Sequence, residues 1–558
     1  MKDKATIQFS AWRFYLLSLF ILFVVAGLIV RMIFLAVIDR QFLEVQGNAR
    51  SLRVVSEPAF RGMITDREGY PLAISTSVFS AWVNPDEFIS DPNSIHQLAM
   101  LLELNPKSME TLIQHYEILG REFVYLKREL SPELANQVKS LKIPGVYLQQ
   151  DYKRFYPEGE IAAHVIGFTN IDDKGQEGLE LLYNDWLSGT AGKRIVVKDR
   201  LGRTINNVET LKKQNPGHDL KLSIDHKIQY LAYRELMAGV KKYIAASGSV
   251  VVLDVKTGEI LAMVNQPSFN PNHIAHQAKE ALRNRAVTDS FEPGSTIKSF
   301  SVATALESGV NPNIVVDTSP GWLRVEHHVL HDEHNNGVIN LMQILQLSSN
   351  VGMSKIILTL PPTQLWSFLH RVGFGEVTGV NFPGEQSGSL INHPIWRPLA
   401  LAELSFGYGI SVTTLQLAQA YAILAHDGIK IPISLMHVDK APVGVRVVDA
   451  KIAREMRELL QAVVSKGGTG VPARVPGFQI AGKTGTAWIA GDHGYQKHHY
   501  TSTFVGMAPA SDPRLVVAVV LHDPQGKQYY GGYVSGPIFA KIMEGSLRIL
   551  NIAPDDIK

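Results

Sequence analysis

The sequence predicts an α+β protein built from a single N-terminal transmembrane helix, an elongated pedestal domain, and a C-terminal domain whose five-stranded antiparallel sheet is flanked by helices. Three observations support this class. A long apolar run occupies residues 14–38. Residues 39–217 have an irregular pattern with many turn residues. From residue 218 onward, strand-like runs lie at both ends of a mainly helical stretch, which is typical of a sheet covered by helices.

Length and composition exclude several classes of protein. The chain has 558 residues, more than a single hydrophobic core holds, so two or three domains are expected. Its formal net charge of +2 is not the strongly basic footprint of a nucleic-acid-binding protein, and the sequence has no nucleic-acid motif. The absence of cysteine excludes disulfides, thiolate metal sites, thiol nucleophiles and a cysteine-linked lipid anchor.

Residues 14–38, FYLLSLFILFVVAGLIVRMIFLAVI, form the predicted transmembrane helix. About 20 apolar residues span the core of a bilayer, and only Arg31, near one end, interrupts this run. The run is longer than the apolar part of a signal peptide, and a poor cleavage site follows it. The tail, residues 1–13, carries three positive charges and one negative charge. It is therefore predicted to be cytoplasmic, and the rest of the chain is predicted to lie in the periplasm, anchored in the inner membrane.

Residues 39–217 are predicted to form a non-catalytic pedestal domain. Helical apolar spacing occurs at 94–104 and 108–118, and RGMITDREG at 61–69 is typical of a short strand followed by a turn. Turn residues, including Tyr156-Pro157-Glu158-Gly159, interrupt the remaining pattern. This region has no obvious catalytic constellation.

The C-terminal domain, residues 218–558, is predicted to supply the sheet. Two strand-like runs joined by the Lys256-Thr257-Gly258 turn predict a β-hairpin, and a helix is predicted before it. Three more strand-like runs follow far downstream. The predicted helix covers 220–243, and the predicted strands cover 249–254, 260–264, 478–489, 501–508 and 515–521.

The stretch FEPGSTIK, residues 291–298, is the most informative part of the sequence. The Pro293-Gly294 turn places Ser295 at the N-terminus of a predicted helix, and Lys298 follows one turn later on the same face. A serine hydroxyl is a poor nucleophile until a base takes its proton, and a lysine amine serves as that base when burial or nearby positive charge lowers its pKa. Ser295 is the only serine in the chain with lysine three residues later. By itself, the pair also fits a capped helix with a surface lysine.

Two further motifs follow in order. Ser348-Ser349-Asn350 comes after a helix-like run and offers a hydroxyl and an amide to the lysine and to a substrate peptide. Lys483-Thr484-Gly485-Thr486 lies within a predicted strand, where an extended peptide could add to the strand edge. Lys483 and the threonine hydroxyls could then hold a carboxylate, and Gly485 would let the two backbones approach closely.

The order of the motifs separates them from chance copies. Lys256-Thr257-Gly258 and Ser268-Phe269-Asn270 repeat two of the patterns, but both precede Ser295 and lie in turns or loops. The downstream motifs alone give the order Ser-x-x-Lys, Ser-x-Asn, Lys-Thr-Gly. This trio is typical of penicillin-binding proteins and class A β-lactamases, whose middle motif is Ser-Asp-Asn where this chain has Ser349 at the centre.

The chain resembles the class B penicillin-binding proteins, in particular the cell-division (FtsI) type, penicillin-binding protein 3, over nearly its whole length. The segments that carry the resemblance are GNARSLRV (47–54), RGMITDREG (61–69), YPEGEIAAHVIGFTN (156–170), GQEGLE (175–180), NRAVTDSFEPGSTIKSF (284–300), SFGYGISVTTLQLA (405–418), KTGTAW (483–488) and YYGG (529–532). The segments in the pedestal matter most, because the catalytic trio alone does not separate division enzymes from elongation enzymes.

The resemblance implies a peptidoglycan D,D-transpeptidase that cross-links stem peptides of the septal cell wall and is inhibited by β-lactams. Ser295 would attack the penultimate D-Ala carbonyl, with Lys298 as the base and Ser348 assisting. An amine from a second stem peptide would then resolve the acyl-enzyme. The remaining implied roles are substrate contact by Asn350, an oxyanion hole from the N–H groups of Ser295 and Thr486, and carboxylate binding by Lys483, Thr484 and Thr486, beside Gly485. No metal or organic cofactor is implied.

The resemblance also implies partners: a SEDS-type glycan polymerase and other divisome membrane proteins, docked through the anchor helix and pedestal. Three other functions stay open at this point. An elongation-type transpeptidase is opposed only by the pedestal match. A β-lactamase or D,D-carboxypeptidase would need a positioned water, for which Glu385 is the one candidate. An acylated sensor would need a cytoplasmic effector larger than residues 1–13. The histidines are interpreted as surface or loop residues, and HDEHNN at 331–336 as a solvated loop rather than a cation site.

Overall fold

The computed structural model describes residues 11–88, 91–198, 204–275, 277–491 and 494–556. The chain divides into two compact units. Through their described residues, the first comprises Met1–Ala59, Ser77–Tyr152 and Thr190–Asn215, and the second comprises Phe60–Thr76, Lys153–Gly189 and Pro216–Lys558. Two segments of the predicted pedestal therefore pack within the second unit. The predicted limits 1–13, 14–38, 39–217 and 218–558 stay predictions.

The N-terminal apolar run is helical. An α-helix covers Ala11–Ile33 and continues as a π-helical turn at Phe34–Ile38, and its side chains are exposed. The apolar stretch is 28 residues long and is not buried against the rest of the protein. A helix of this length can cross a bilayer. Residues 1–10, on which the charge argument for orientation mostly rests, lie outside the described residues.

The first unit contains a small three-stranded antiparallel sheet and a separate helical core. The sheet has the strand order Leu52–Glu57, Gly192–Lys198, Thr204–Lys212. The helices are Arg40–Ser51, Pro92–Leu101, Pro106–Ile118 and Pro132–Ser140, and the last three pack with the strand Val124–Leu130 in one core. Asp91 and Asn105 cap the second and third of these helices through their side chains, each followed by proline at the first helical position. The predicted helices at 94–104 and 108–118 are confirmed, with earlier starts.

Two long strands lie in the region 71–155. Pro71–Val83 pairs with Val124–Leu130 on one side, and Val146–Phe155 also pairs with it. The strand predicted in RGMITDREG is only Ile64–Thr65, which pairs with Leu220–Lys221 in parallel.

A buried ion-pair cluster in the second unit explains two of the family-like segments. The Glu180 carboxylate accepts from Arg61 Nε at 2.5 Å and from Arg154 Nε at 2.7 Å. All three side chains are buried, with 0–1% of each side chain exposed. Arg61 Nη2 also donates to the Glu180 carbonyl oxygen. Buried charges persist only when paired and hydrogen-bonded, so these distant segments depend on one another.

The second unit is built around a five-stranded antiparallel sheet, as predicted. Its strands are β1 (Ala245–Asp254), β2 (Ile260–Gln266), β3 (Ala481–Gly491), β4 (Gly494–Ala508) and β5 (Leu515–Pro524), in the order β2-β1-β5-β4-β3. The β1–β2 turn is held by Asp254, whose carboxylate accepts from the N–H groups of Lys256 and Thr257. That tripeptide is therefore a turn, as its position indicated.

Both faces of this sheet are covered, because its central strands are apolar on both sides. On one face, Val517 and Val519 of β5 pack in a core with the helices His226–Tyr243 and Gly536–Ile549. On the other face, Val516 and Ala518 pack in the larger core, which includes the helices Lys298–Glu307 and Thr414–Ala425. The predicted helix at 220–243 begins later, at His226, because the Asp225 side chain caps it there.

The remaining elements of the second unit are mostly short, apart from the 15-residue helix Ala450–Val464. Its other α-helices are Ala163–Ile166, Gly178–Leu182, Asn184–Leu187, Lys279–Leu282, Arg285–Thr288, Leu341–Leu347, Asn350–Ile357, Thr363–Arg371, Pro398–Ser405, Ala450–Val464 and Gly531–Val534. Four two-stranded ribbons pair Val315–Asp317 with Val338–Asn340, Trp322–Val325 with His328–His331, Ser389–Leu390 with Ile410–Ser411, and Ile429–Lys430 with Val445–Arg446.

Candidate active site

Ser295 lies in a tight turn that leads into a buried helix. A 3₁₀ turn covers Gly294–Ile297, and the α-helix continues from Lys298 to Glu307. The predicted helix start is thus confirmed, with a 3₁₀ first turn. Gly294 has a φ of +53°, and the Thr296 hydroxyl donates to the Pro293 carbonyl oxygen at 2.9 Å. Thr296 and Ile297 are buried, whereas Ser295 is partly exposed, as a nucleophile must be.

Lys298 is fully buried and held by the second motif. Its Nζ donates to Asn350 Oδ1 at 2.7 Å, lies 3.3 Å from the Ser348 hydroxyl, and also donates to the Ser348 carbonyl oxygen. Burial lowers the pKa of Lys298 to about 7, while the Asp332 and Glu333 carboxylates oppose this shift by favouring the charged amine. A lysine with such a pKa can accept a proton near neutral pH.

The Ser348 hydroxyl connects the two lysines of the site. Lys483 Nζ donates to Ser348 Oγ at 3.0 Å, and the same oxygen lies 3.3 Å from Lys298 Nζ. Ser348 ends the helix Leu341–Leu347 in the left-handed conformation, with a φ of 58°. Burial lowers the pKa of Lys483 well below its usual value, and the Lys298 charge lowers it further. Two adjacent buried amines cannot both stay charged without an anion, so the pair is suited to bind one.

Strand β3 places the third motif directly beside the turn that carries Ser295. A Cβ atom on Gly485 would lie 2.7 Å from the Pro293 carbonyl oxygen, so only glycine allows this approach. Thr484 Oγ1 lies 2.9 Å from the Thr469 hydroxyl, and Thr486 Oγ1 accepts from the Gly531 N–H at 3.0 Å. All eight predicted site residues therefore come from segments that meet around Ser295.

Asp332 is a residue of the site that the sequence analysis missed. Its carboxylate accepts from the Ser349 hydroxyl at 2.5 Å and from the N–H groups of Asn350 and Val351 at 2.5 and 2.9 Å. Asn350 Nδ2 also donates to the His331 carbonyl oxygen at 2.9 Å. The interpretation of 331–336 as a solvated loop is therefore wrong at Asp332, which anchors the Ser-x-Asn turn. Asp332 lies 17 residues before Ser349, so no local sequence pattern links the two residues.

Two other candidates from the sequence are accounted for. Glu385 accepts hydrogen bonds from the N–H and hydroxyl of Thr378, so its carboxylate is engaged by its own loop. Among the described histidines, aspartates and glutamates, no group of three or more is arranged to hold a metal ion.

Comparisons with known proteins agree with this geometry. Residues 248–544 match the family described as penicillin binding protein transpeptidase domain, and residues 56–222 match the penicillin-binding protein dimerisation domain. The chain is 45% identical to a probable peptidoglycan D,D-transpeptidase, PbpC, of Pseudomonas aeruginosa, covering 96% of this chain and 95% of that protein. It is 43% identical to the peptidoglycan D,D-transpeptidase FtsI of Escherichia coli, covering 98% and 93%.

Solved structures give the same result for the fold. A peptidoglycan synthetase from Bifidobacterium adolescentis is similar with a TM-score of 0.71 and 26% identity, over 91% of this chain and 98% of that one. The transpeptidase domain of penicillin-binding protein 3 from Burkholderia pseudomallei has a TM-score of 0.56 and 40% identity, over 60% of this chain and 98% of that one. This chain belongs to the class B penicillin-binding proteins, in which a dimerisation domain precedes a transpeptidase domain. The relatives that match nearly the whole of this chain include a protein of the FtsI type.

Proposed function

We propose that this chain is a serine-type peptidoglycan D,D-transpeptidase that cross-links stem peptides of the septal cell wall during division and is inhibited by β-lactams. The observation that carries the proposal is the Ser348 hydroxyl between the buried amines of Lys298 and Lys483, next to the partly exposed Ser295. This arrangement supplies a nucleophile, a base and an anion-binding amine in one place. The septal role is supported by the identity to FtsI.

Acyl transfer would begin with proton transfer from the Ser295 hydroxyl to neutral Lys298. The Ser295 oxygen then forms a bond to the penultimate D-Ala carbonyl carbon, and the resulting oxyanion is stabilised by the backbone N–H groups of Ser295 and Thr486. The C–N bond to the terminal D-Ala breaks as Lys298 returns the proton to the leaving amine. The amine of a second stem peptide then attacks the ester, and the serine oxygen regains a proton. The chain needs no metal or organic cofactor for these steps.

The donor carboxylate would bind at the Lys483 end of the site. Lys483 supplies the charge, and the hydroxyls of Thr484 and Thr486 supply further hydrogen bonds along strand β3 beside Gly485. A bound carboxylate would raise the pKa of Lys483 and keep Lys298 as the neutral member of the pair. Asn350, which already bonds Lys298, would contact the peptide backbone.

The location follows from the N-terminal helix. We propose that this helix crosses the inner membrane once, that residues 1–13 are cytoplasmic, and that the rest of the chain is periplasmic with residues 39–217 as the non-catalytic pedestal. Partners in this proposal are a SEDS-type glycan polymerase and other membrane proteins of the divisome, which would dock on the helix and pedestal. The support is the length of the helix and the similarity to FtsI.

Intact-protein mass spectrometry after incubation with a labelled penicillin tests the proposed chemistry. The full-length protein in detergent is expected to gain one lasting adduct, and the Ser295→Ala variant is expected to gain none. Ser511→Ala is the matched control, because Ser511 is exposed on a loop between β4 and β5. A folded wild-type protein without an adduct would refute the acyltransferase, and rapid drug turnover without a lasting adduct would indicate a hydrolase instead.

A further inference from the structure

Glu292 carries a carboxylate oxygen without a partner, close to the nucleophile. Its Oε1 accepts from the Gly409 N–H at 3.0 Å and from the Tyr495 hydroxyl at 3.2 Å. Its Oε2 is buried and has no hydrogen-bond partner within the described part of the chain. A buried polar atom left unbonded is costly and needs an explanation. Since Glu292 precedes Ser295 by three residues, their Cα atoms lie within about 11 Å of each other.

Strand β3 gives the site around Ser295 two different ends. At one end, Lys483 shares Ser348 with Lys298. Trp488 lies five residues further along the strand, about 16 Å away. Its backbone N–H lies 3.5 Å from the Tyr408 hydroxyl.

Aromatic contacts connect Glu292 to the Trp488 end. The ring centroids of Tyr408 and Tyr495 are 5.5 Å apart in an edge-on arrangement, and those of Trp488 and Tyr495 are 6.2 Å apart. Because Tyr495 also donates to Glu292, the carboxylate and these three rings form one surface. Tyr495 and Trp488 are 44% and 47% exposed, so this surface is open to solvent at its rim.

The Trp488 end of the site carries carboxylates, whereas the Lys483 end carries amines. Burial raises the pKa of the Glu292 carboxyl, against the hydrogen bonds from Gly409 and Tyr495. Burial also raises the pKa of Glu403, and the charge of His328 opposes this shift. The negative charge of Glu292 raises the pKa of Glu403 further, so the carboxyl groups of Glu292 and Glu403 lie near each other. Among the described residues, no lysine or arginine forms an ion pair with either glutamate. Opposite charges at the two ends of a site suit two substrates of opposite charge.

We propose that Glu292 binds the acceptor of the cross-linking reaction through its primary ammonium group, with Tyr408 and Tyr495 as aromatic walls. Glu292 takes one proton from the ammonium, and the neutral amine then attacks the ester carbonyl carbon. The ester C–O bond breaks as the attacking nitrogen passes a second proton through Lys298 to the Ser295 oxygen, and Glu292 releases its proton to solvent. This inference rests on the proposed transpeptidase function and specifies its second substrate. An ammonium group has three donors, and its bond to a carboxylate is stronger than the phenol bond that it would replace. The last torsion of a glutamate side chain is soft, so the carboxylate can turn its unbonded oxygen toward the amine. Tyrosine rings attract a cation placed over their faces.

The test is the partition of the acyl-enzyme between acceptors, measured on the full-length protein in detergent. An ester donor ending in D-lactate forms the acyl-enzyme, which then meets D-alanine, an ammonium-bearing acceptor, or methanol, an uncharged one. For each acceptor, the amount of transfer product is divided by the amount of hydrolysis product. This ratio does not depend on how fast the acyl-enzyme forms. We expect Glu292→Gln to lower the D-alanine ratio about tenfold or more, the worth of one charged hydrogen bond, without lowering the methanol ratio.

Two further variants make the result decisive. Glu458→Gln removes an exposed carboxylate from the helix Ala450–Val464 and is expected to change neither ratio. Tyr495→Phe removes the hydroxyl that competes for Glu292, so it is expected to raise the D-alanine ratio about twofold, a gain that misfolding cannot produce. An equal loss with both acceptors in Glu292→Gln would make Glu292 a positioning residue only, and no change would remove it from acceptor binding. A wild-type protein that forms no acyl-enzyme would refute the proposed function and this inference with it, whereas a normal acyl-enzyme with unchanged ratios would refute the inference alone.

Discussion

The buried amine of Lys298 makes acylation depend on pH in a defined direction. Burial lowers its pKa from 10.5 to about 7, a preference for the neutral form worth about 5 kcal/mol. At pH 7 about half of the molecules then hold a neutral base, whereas a solvated lysine would be neutral in roughly 1 molecule in 3,000. Because only the neutral amine accepts the serine proton, acylation is expected to rise with pH and to level off above the pKa.

The assay is the second-order rate of acylation by a fluorescent penicillin between about pH 5.5 and 9. With a pKa of about 7, the rate is expected to rise about tenfold from pH 6 to pH 8. Lys298→Arg is expected to lower the plateau by about 10² to 10⁴, because a guanidinium stays charged over this range. A rate that is flat from pH 6 to 8, or that still rises above pH 9, would refute Lys298 as the base.

The same shift has a consequence for folding stability that serves as a control. Between about pH 7 and 10.5 the unfolded chain binds a proton on Lys298 that the folded chain does not. The contribution of Lys298 to the free energy of unfolding therefore increases with pH across this window and is lowest below pH 7, where both states are protonated. Melting temperatures measured over the assay range therefore separate a loss of rate at pH 6 from a loss of fold; the protein is expected to stay folded at pH 6.

Three other changes test separate parts of the molecule. Asp332→Ala removes the acceptor of three hydrogen bonds in the Ser-x-Asn turn and is expected to slow acylation about tenfold or more, with Asp332→Asn restoring part of the rate, since an amide oxygen still accepts from the backbone. Gly485→Ala places a Cβ 2.7 Å from a backbone carbonyl oxygen and is expected to slow acylation by a similar factor, whereas Gly536→Ala, with its nearest atom at 3.5 Å, is expected to be neutral. Glu180→Gln removes the negative charge shared by two buried guanidinium groups and is expected to lower the free energy of unfolding, measured by chemical denaturation, by about 3–5 kcal/mol. Glu68→Gln, in an exposed ion pair, is expected to lower it by less than about 1 kcal/mol. Unchanged rates in the first two variants, or an unchanged midpoint in the third, would contradict these roles.

The parts of the fold that sequence predicts well are those with a local signal. The apolar run, the β-hairpin with its Lys256-Thr257-Gly258 turn, and the downstream strands all follow from periodicity and turn residues. Element ends were less certain: β3 begins at Ala481 rather than at 478, and the helix expected from 220 begins at His226. In the second case a side-chain cap at Asp225 determined the start, which the apolar spacing alone does not reveal.

The site was predictable as far as its motifs are contiguous. Ser295 and Lys298 share a turn, and the other two motifs were found by their order along the chain. The bridging by Ser348 and the anchoring by Asp332 could not be predicted, because they depend on how a two-stranded ribbon returns the chain to the Ser-x-Asn turn. The pairing of Glu180 with Arg61, 119 residues earlier, is of the same kind. Contacts between distant residues are fixed by topology, and topology is not visible in one sequence.

The strand order of the main sheet also determines when the enzyme can exist during its synthesis. Strand β1 ends at residue 254, yet its neighbour in the sheet, β5, begins at residue 515, so the sheet stays open until the last part of the chain is available. Pairing over such a long sequence separation is slow, and an unpaired apolar strand edge is prone to aggregation meanwhile. A chain made from its N-terminus would therefore have completed its apolar first helix long before β3 can bring Lys483 to Ser295. Premature termination before residue 515 would leave an inactive chain with an exposed β1 edge, a natural substrate for chaperones and proteases.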